Sequence, residues 1–341
     1  MGAIVWTPAV RNALNVQVVN RFAAGTLAAR ISGVLDIVGP KTSDAENIAA
    51  LVLGKNFSLY KRPRNANPVH KRGVNIHEQR AKLGNYAEFL SMNRFDAIYD
   101  KIDRILATAQ MGGLIAAEAP SRMVEAAIPI GLETVGYDGV PYFSASHPVS
   151  GTPGDTPVFS NLKDYGDLDF AAYDQAVQDL AELPDEDGYA SGGTVTHLLY
   201  SPKYATMARE ILTSQHPLAY AGDNFRVQDG VKGIKIPAWA GDDMWAVVDA
   251  SMEVDLPFWF VEGAGRQLRL KPIYTDPEGA WETLTNELLW GIEGEMAVLL
   301  GNHRKAILSA PAANLATILA KHKARFEMND AGPNAFDLEA A

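Results

Sequence analysis

The sequence predicts an α+β protein, and three observations predict it. Helix-like and strand-like patterns follow one another in mixed order, without the regular strand–helix–strand alternation of a doubly wound sheet or a TIM barrel. One stretch, about residues 100 to 134, reads as a long bent helix rich in Ala and Gly. Another, residues 55 to 92, is a polar excursion too long for an ordinary connection inside a compact domain.

Residues 11 to 35 have mixed periodicity and are assigned no element. Lys41 to Gly54 reads as a short helix, with Ser43 or Asp44 as N-cap and Gly54 as its stop. In the excursion that follows, strand-like ends (Phe57 to Tyr60, Tyr86 to Met92) flank a basic middle. There Lys61, Arg62, Arg64, Lys71, Arg72, Arg80 and Lys82 face only Glu78. From Asp100 on, Ile102, Ile105, Ala109, Gly112 and Ala116 recur at helical spacing. Pro120 marks a break before Met123, Val124 and Ala127, and it fits the first turn of a second piece of one bent rod. Small residues on this rod let another backbone approach closely.

Further on, Phe170, Tyr173, Val177 and Leu180 share one helical face, with Asp167 or Asp169 as cap. Thr194 to Tyr200 is a strand, and Ser201-Pro202 opens a helix with Ser as N-cap. Strand-like segments then run "GIKIPAWA", "MWAVVDA", "PFWFVEG", "RQLRLKPIY", "ELLWGIEGEMAVLL" and "RKAILS". Ser309 and Pro311 open a C-terminal helix containing Leu315, Ile318, Leu319 and His322, which ends in Lys321, Lys323 and Arg325 before a polar tail.

The 341 residues are 47% hydrophobic, enough for a substantial core, and carry a formal net charge of -11. Such acidity argues against a surface that grips nucleic acid, because phosphate binding needs clustered Lys and Arg. The absence of Cys excludes disulfides, thiolate nucleophiles and Cys-based metal sites. The first residues lack a secretory signal, Trp6 spoils a myristoylation pattern, and no apolar run reaches membrane-span length. A soluble chain, intracellular at synthesis, is the expectation.

The stretch "VGYDGVPYFSASHPVSGTPG", Val135 to Gly154, gathers an aspartate, serines and a histidine between glycines and prolines. Neither Ser144 nor Ser146 has the nucleophile-elbow frame, and Asp138, Ser144 and His147 meet only if the loop folds back on itself. Turn chemistry accounts for the residues better: Asp138-Gly139 as a tight turn, Pro141 and Pro148 as stiffeners, Ser and His bonding loop amides. "HEQRA" at His77 has Ala81 where a zinc-protease helix needs its second His. "GAGRQL" at Gly263 lacks the third glycine of a dinucleotide loop, "GKN" at Gly54 lacks the rest of a P-loop, and "PDEDG" at Pro184 reads as a solvated turn. No catalytic residue, metal or cofactor is expected.

"YDGVPYFSASHPV" followed by "SNL" at Ser160 to Leu162 resembles the major head subunit family of Mu-like phages and prophages. That family places an aromatic residue, Asp-Gly, an aromatic pair and His-Pro just after a long helix, then Asn-Leu or Asn-Ile. The order of the other pieces over roughly residues 45 to 300 is similar too, including the polar excursion ending in Asn93-Arg94-Phe95-Asp96. Ser121 departs from the acidic residue common after the helix proline, and the C-terminal helix and tail have no match.

The resemblance implies the tailed-phage capsid fold of the Hong Kong ninety-seven type. In its terms residues 1–51 are an N-terminal arm, 52–92 an E-loop, 93–164 a peripheral domain with the spine helix, 165–250 an axial domain, 251–309 the return strands of the peripheral domain, and 310–341 a C-terminal helix and tail. It implies a homo-oligomer of hexamers and pentamers in the virion, assembled in the host bacterial cytoplasm. Double-stranded DNA would be enclosed without sequence-specific binding, and no membrane is involved. A portal, a scaffold, a maturation protease and a decoration protein are the further partners the family suggests.

Lys61, Arg62, Arg64, Lys71, Arg72 and Arg80 are the expected intersubunit contacts. An isolated two-stranded arm is marginal in water, and cations on an acidic protein call for carboxylates of an adjacent copy. Tyr137, Asp138, Gly139, Phe143, His147 and Pro148 are expected to form a structural loop after the spine helix. A Lys–Asn isopeptide through Lys61 or Lys71 is not expected. The alternatives are an encapsulin-like nanocompartment shell and a hydrolase using Ser144 and His147.

Overall fold

The computed structural model describes residues 8–29, 31–45, 47–54, 76–93, 95, 102–213, 230–272 and 287–329. The fold is α+β. It is organised around one helix, α2 (Ile102–Ile130), and two five-stranded sheets. Pro120 lies inside α2 without ending it, so the sequence-predicted rod is one continuous helix of 29 residues.

The first sheet runs β1 (Val38–Ser43), β11 (Phe258–Gly263), β13 (Glu287–Leu300) and β12 (Arg269–Pro272), and β4 (Gly84–Asn93) also pairs with β13. The long strand β13 is its backbone, holding β4 from Glu287↔Asn93 to Met296↔Gly84. Val124, Ala127 and Ile128 of α2 pack on Phe258, Phe260, Met296, Val298 and Leu300 of this sheet.

The second sheet runs β7 (Leu162–Lys163), β14 (Ala306–Ser309), β10 (Trp245–Val248), β8 (His197–Tyr200) and β9 (Lys232–Lys235). Strand side chains alternate between faces, and β10 uses both. Trp245 and Val247 pack with Phe170, Tyr173, Ala176 and Leu180 of α3 (Phe170–Glu182) and with Ala208 and Ile211 of α4 (Ala205–Thr213). Ala246 and Val248 face the other way, into the core around α2. Asp169 caps α3, accepting from the Ala172 amide at 2.7 Å. Ser201 does not cap as expected: a 3-10 turn at Pro202–Tyr204 precedes α4, and the Ser201 side chain makes no capping bond. At the end of the described chain, α5 (Leu315–Asn329) packs on α2 and buries Ile318.

Two segments differ from the sequence reading. Residues given no element contain a helix of 21 residues, α1 (Pro8–Ala28). It buries Leu14, Val18 and Phe22, each four residues after the last, while Val16, Val19 and Leu27 stay exposed and blur the pattern. What holds α1 against α2 is close backbone approach: a Cβ added at Gly25 would lie 2.0 Å from the Gln110 carbonyl oxygen, and one at Gly113 2.0 Å from that of Phe22. The small residues of the rod do admit another backbone, as anticipated.

The helix expected at Lys41 to Gly54 is instead two strands. β1 pairs in parallel with β11, and β2 (Asn47–Leu53) pairs antiparallel with β3 (Ile76–Lys82). Ile48 and Val52 are both buried, and a spacing of four fits a helix turn and a strand face equally. Pairing with β3 decided between them, a tertiary preference that the local pattern does not carry. The β2–β3 ribbon is the start of the long excursion. Its base packs through Ile48, Ala81 and Leu83 on Trp259, Val261, Ala297 and Leu299. Phe57 to Tyr60, and with them Lys61, Arg62, Arg64, Lys71 and Arg72, lie outside the described residues.

Candidate functional site

After α2 the chain turns back on itself between Gly131 and Lys163. Gly139 sits at φ +77°, where a residue with a Cβ is strained, and its amide donates to the Gly136 carbonyl at 3.1 Å. The Val140 amide reaches Asp138 Oδ1 at 3.3 Å, completing the tight turn that Asp-Gly predicted. This folding back brings Asp138 onto His147, nine residues later. Both are fully buried.

His147 has hydrogen-bond acceptors at both ring nitrogens. Nδ1 lies 2.6 Å from Asp138 Oδ2, and Nε2 lies 3.1 Å from both the Tyr142 carbonyl and Asn161 Oδ1. The Asn161 amide is oriented by its other bonds: Nδ2 donates to the Tyr142 and His303 carbonyls at 2.8 and 3.0 Å, and Oδ1 accepts from the Ser144 amide at 2.9 Å. Both ring positions are therefore partnered, Asp138 at one and the Tyr142 and Asn161 oxygens at the other.

Stacked flat on His147 is His303, with ring centroids 4.1 Å apart and planes 7° from parallel. Burial holds the His303 pKa well below the usual histidine range, so this ring is neutral. The stack continues from His303 through Tyr137 at 4.9 Å to His77 of β3 at 4.4 Å, and from His147 to Phe159 at 5.3 Å. Arg304 clasps it from the side, donating to the Tyr137 hydroxyl and the Val149 carbonyl, both at 2.8 Å. Burial raises the Tyr137 and Tyr142 pKa values, leaving both phenols neutral donors or acceptors. The Tyr142 hydroxyl donates to the Pro257 carbonyl at 2.9 Å, tying the loop to the start of β11. Phe143 is buried edge-on to Tyr142, and β5 (His147–Pro148) forms a short antiparallel pair with β6 (Val158–Phe159).

Two chemical uses of this cluster fail on geometry. For a hydrolase, His147 would have to serve Ser144, yet both of its ring nitrogens are engaged elsewhere, and the Ser144 hydroxyl accepts from the Ser146 amide at 3.2 Å. For a metal, Asp138, His147 and His303 do bring ligand atoms within 4.8 Å of one another. Stacked parallel rings, however, direct their in-plane lone pairs side by side, where a tetrahedral ion needs them to converge. The cluster is a buried hydrogen-bonded and stacked centre, and the loop that builds it contains Tyr137, Asp138, Gly139, Phe143, His147 and Pro148.

Sequence reasoning missed its other half. Asn161 lies in the Asn-Leu pair of the family resemblance but was given no role there, and His303 and Arg304 come from distant chain that no local motif marks. "PDEDG" is a turn, but not a fully solvated one. Asp185 does close a turn, accepting from the Asp187 and Tyr189 amides, but the Glu186 side chain points inward, only 3% exposed, and ion-pairs with His77. Of the cations expected between subunits only Arg80 is described. It is exposed and pairs with Glu78 of its own strand at 3.0 Å.

Residues 73–167, which span β3, β4, α2 and the loop just described, match the model of the Mu-like prophage major head subunit gpT family. Among solved structures, the procapsid subunit of bacteriophage JBD30 is similar over 93% of this chain and 81% of its own, at 15% identity and a TM-score of 0.52. The virus-like particle from Pyrococcus furiosus is similar over 86% of this chain and 98% of its own, at 10% identity and a TM-score of 0.50. A sequence search of curated proteins gives no match. At these identities the structural likenesses establish the fold, which is that of the Hong Kong ninety-seven-type capsid subunits.

Proposed function

We infer that this chain, a phage major capsid protein of the Mu-like head-subunit kind, tiles an icosahedral head in which hexamers and pentamers of it close around packaged double-stranded DNA. The family match over residues 73–167 carries this reading, because it covers the structural loop and the returning strand of the ribbon together. The ribbon supports it physically. Its base is anchored on the sheet, while the excursion between its strands holds Lys61, Arg62, Arg64, Lys71 and Arg72. Carboxylates of an adjacent subunit are the natural cover for that charge, and many modest contacts multiply when a shell closes.

In this scheme residues 1–51 are the arm, 52–92 the E-loop, 165–250 the axial domain, and the remainder the peripheral domain and C-terminal helix. A net charge of -11 keeps DNA from adhering to the wall, so the genome is held by enclosure. Assembly takes place in the host bacterial cytoplasm. A portal subunit is required, and a scaffold, a maturation protease or a decoration protein are further partners of the same scheme. The chain acts as a building block and not as an enzyme. Among the described residues, no helix is long and apolar enough to cross a membrane.

The test is electron microscopy of the purified protein with assay of its contents. Closed shells that hold or package nucleic acid bear the reading out. Shells filled with a protein cargo instead assign it to an encapsulin-like compartment, and a chain that stays monomeric at high concentration removes both. Reversing Arg62 and Arg64 to Glu is expected to abolish closed particles, and undiminished yields would refute the docking role of the E-loop.

A further inference from the structure

The ribbon β2–β3 is gripped at the point where its last described pair, Leu53↔Ile76, gives way to the excursion. The grip comes from Glu186, on the turn that follows α3. Its carboxylate pairs with His77 of β3, and its backbone amide donates to the Gly54 carbonyl, just past β2, at 3.2 Å. One residue therefore holds both strands. The space is shaped for that carboxylate: a Cβ added at Gly54 would lie 1.9 Å from Glu186 Oε1, and one at Gly151 2.9 Å from the same atom. Facing the pair from the other elements are the Tyr137 ring, stacked on His77, then His303 and Arg304 behind it, with Asp138 beyond. His77 is thus held from one side by the Glu186 carboxylate and from the other by a ring stack rooted in the buried centre.

We propose that Glu186 is a latch that fixes the direction in which the long excursion leaves the body, coupling the turn after α3 to the ribbon through His77 and Gly54. Without it, the ribbon keeps its base on the sheet but loses the contact that stops its outer end from swinging. The inference rests on the capsid reading only for what the excursion does, since the latch itself lies within one subunit.

Hydrogen exchange of the full chain, kept as unassembled subunits, tests it. Removing a hydrogen-bonded buried charge should open the ribbon locally, so Glu186→Ala is expected to speed exchange in 47–53 and 76–82 about tenfold. The strands 197–200 and 245–248 should stay unchanged. Gly54→Ala, which forces the carboxylate out, should do the same, and the double variant should be no worse than either single one because both disable one device. Unchanged ribbon exchange in Glu186→Ala, or effects that multiply in the double variant, overturn the proposal. Should Glu186→Ala loosen the whole subunit, Glu186→Gln decides, because it keeps volume and an acceptor for His77 while removing the charge. Loosening confined to the ribbon then supports the latch, and any other result refutes it. Because the readout precedes assembly, the latch can fail while shells form, and shells can fail while the latch holds.

Discussion

Replacing Asp138 by Leu removes the carboxylate at the centre of the loop that follows α2. The substitution keeps roughly the volume of the side chain but takes away both the Oδ1 acceptor for the Val140 amide and the oxygen 2.6 Å from His147 Nδ1. The Tyr142 carbonyl and Asn161 Oδ1 still demand a proton on Nε2. Whichever protonation state the ring takes, its Nδ1 is then left buried without a partner. Both members are fully buried, so solvent cannot substitute. Breaking a buried pair from one side costs about 3–5 kcal/mol. For a chain of 341 residues that corresponds to a fall in unfolding midpoint of roughly 4–7 °C. Differential scanning calorimetry on unassembled subunits measures it, and a cycle with His147→Gln measures the coupling, expected at about 2 kcal/mol or more. A fall below about 1 °C, or additive single effects, would refute the coupling of Asp138 to His147.

Three other outcomes follow from the same structure. Because burial depresses the His303 pKa, the folded state resists a proton that the unfolded chain accepts, so stability is lost as pH falls through the ordinary histidine value of 6.5. His303→Phe keeps a ring in the stack and should flatten this acid limb in unfolding midpoints measured between neutral and mildly acidic pH; an unchanged slope counts against it. Glu125 has the opposite sign. Burial raises its pKa above 4.5 despite a bond from Ser32, so its contribution is full below the unfolded value and lost as pH rises through the folded one. Glu125→Gln should stabilise the subunit at neutral pH, with the gain shrinking on acidification; equal gains at both extremes would contradict the argument. Gly113→Leu, whose Cβ alone would meet the Phe22 carbonyl, should pry α1 off α2, detected as protease sensitivity within residues 8–28, whereas protection at the wild-type level would show that the two backbones can part without consequence.

How much of this was legible in the sequence depended on how local each cause is. The α2 rod, the Asp169 cap and the Asp-Gly turn were readable because each is fixed by neighbours within a few residues. The β1–β2 region was not, since Ile48 and Val52 are compatible with either periodicity and only β3 and β11 select the strands. α1 was hidden because exposed Val16, Val19 and Leu27 blur the buried stripe of Leu14, Val18 and Phe22, and because Gly25 and Gly113, which let its backbone approach α2, leave no mark on an apolar-residue pattern. At the site, Asp138 and His147 stood nine residues apart in a stretch already singled out. Asn161, His303 and Arg304 acquire meaning only when β14 and the turn before it return to the loop.

The buried centre also explains why the loop can be polar at all. An apolar plug would fill the same volume and cost less desolvation, but it would not distinguish one register of the returning chain from another. Asn161 does distinguish. Its amide must meet the Tyr142 and His303 carbonyls and the Ser144 amide together, and a slip of one residue in the segment leading into β7 leaves all three unpaired. β7 in turn sets its parallel register on β14 through Leu308↔Leu162 and Ser309↔Lys163, so the polar centre locks the edge of the second sheet to the loop that follows α2. Asn161→Leu should therefore loosen β7 before it unfolds the subunit, seen as faster exchange in residues 160–163 at temperatures where strand 245–248 remains protected. Simultaneous loss of both would show that the centre contributes only to overall stability.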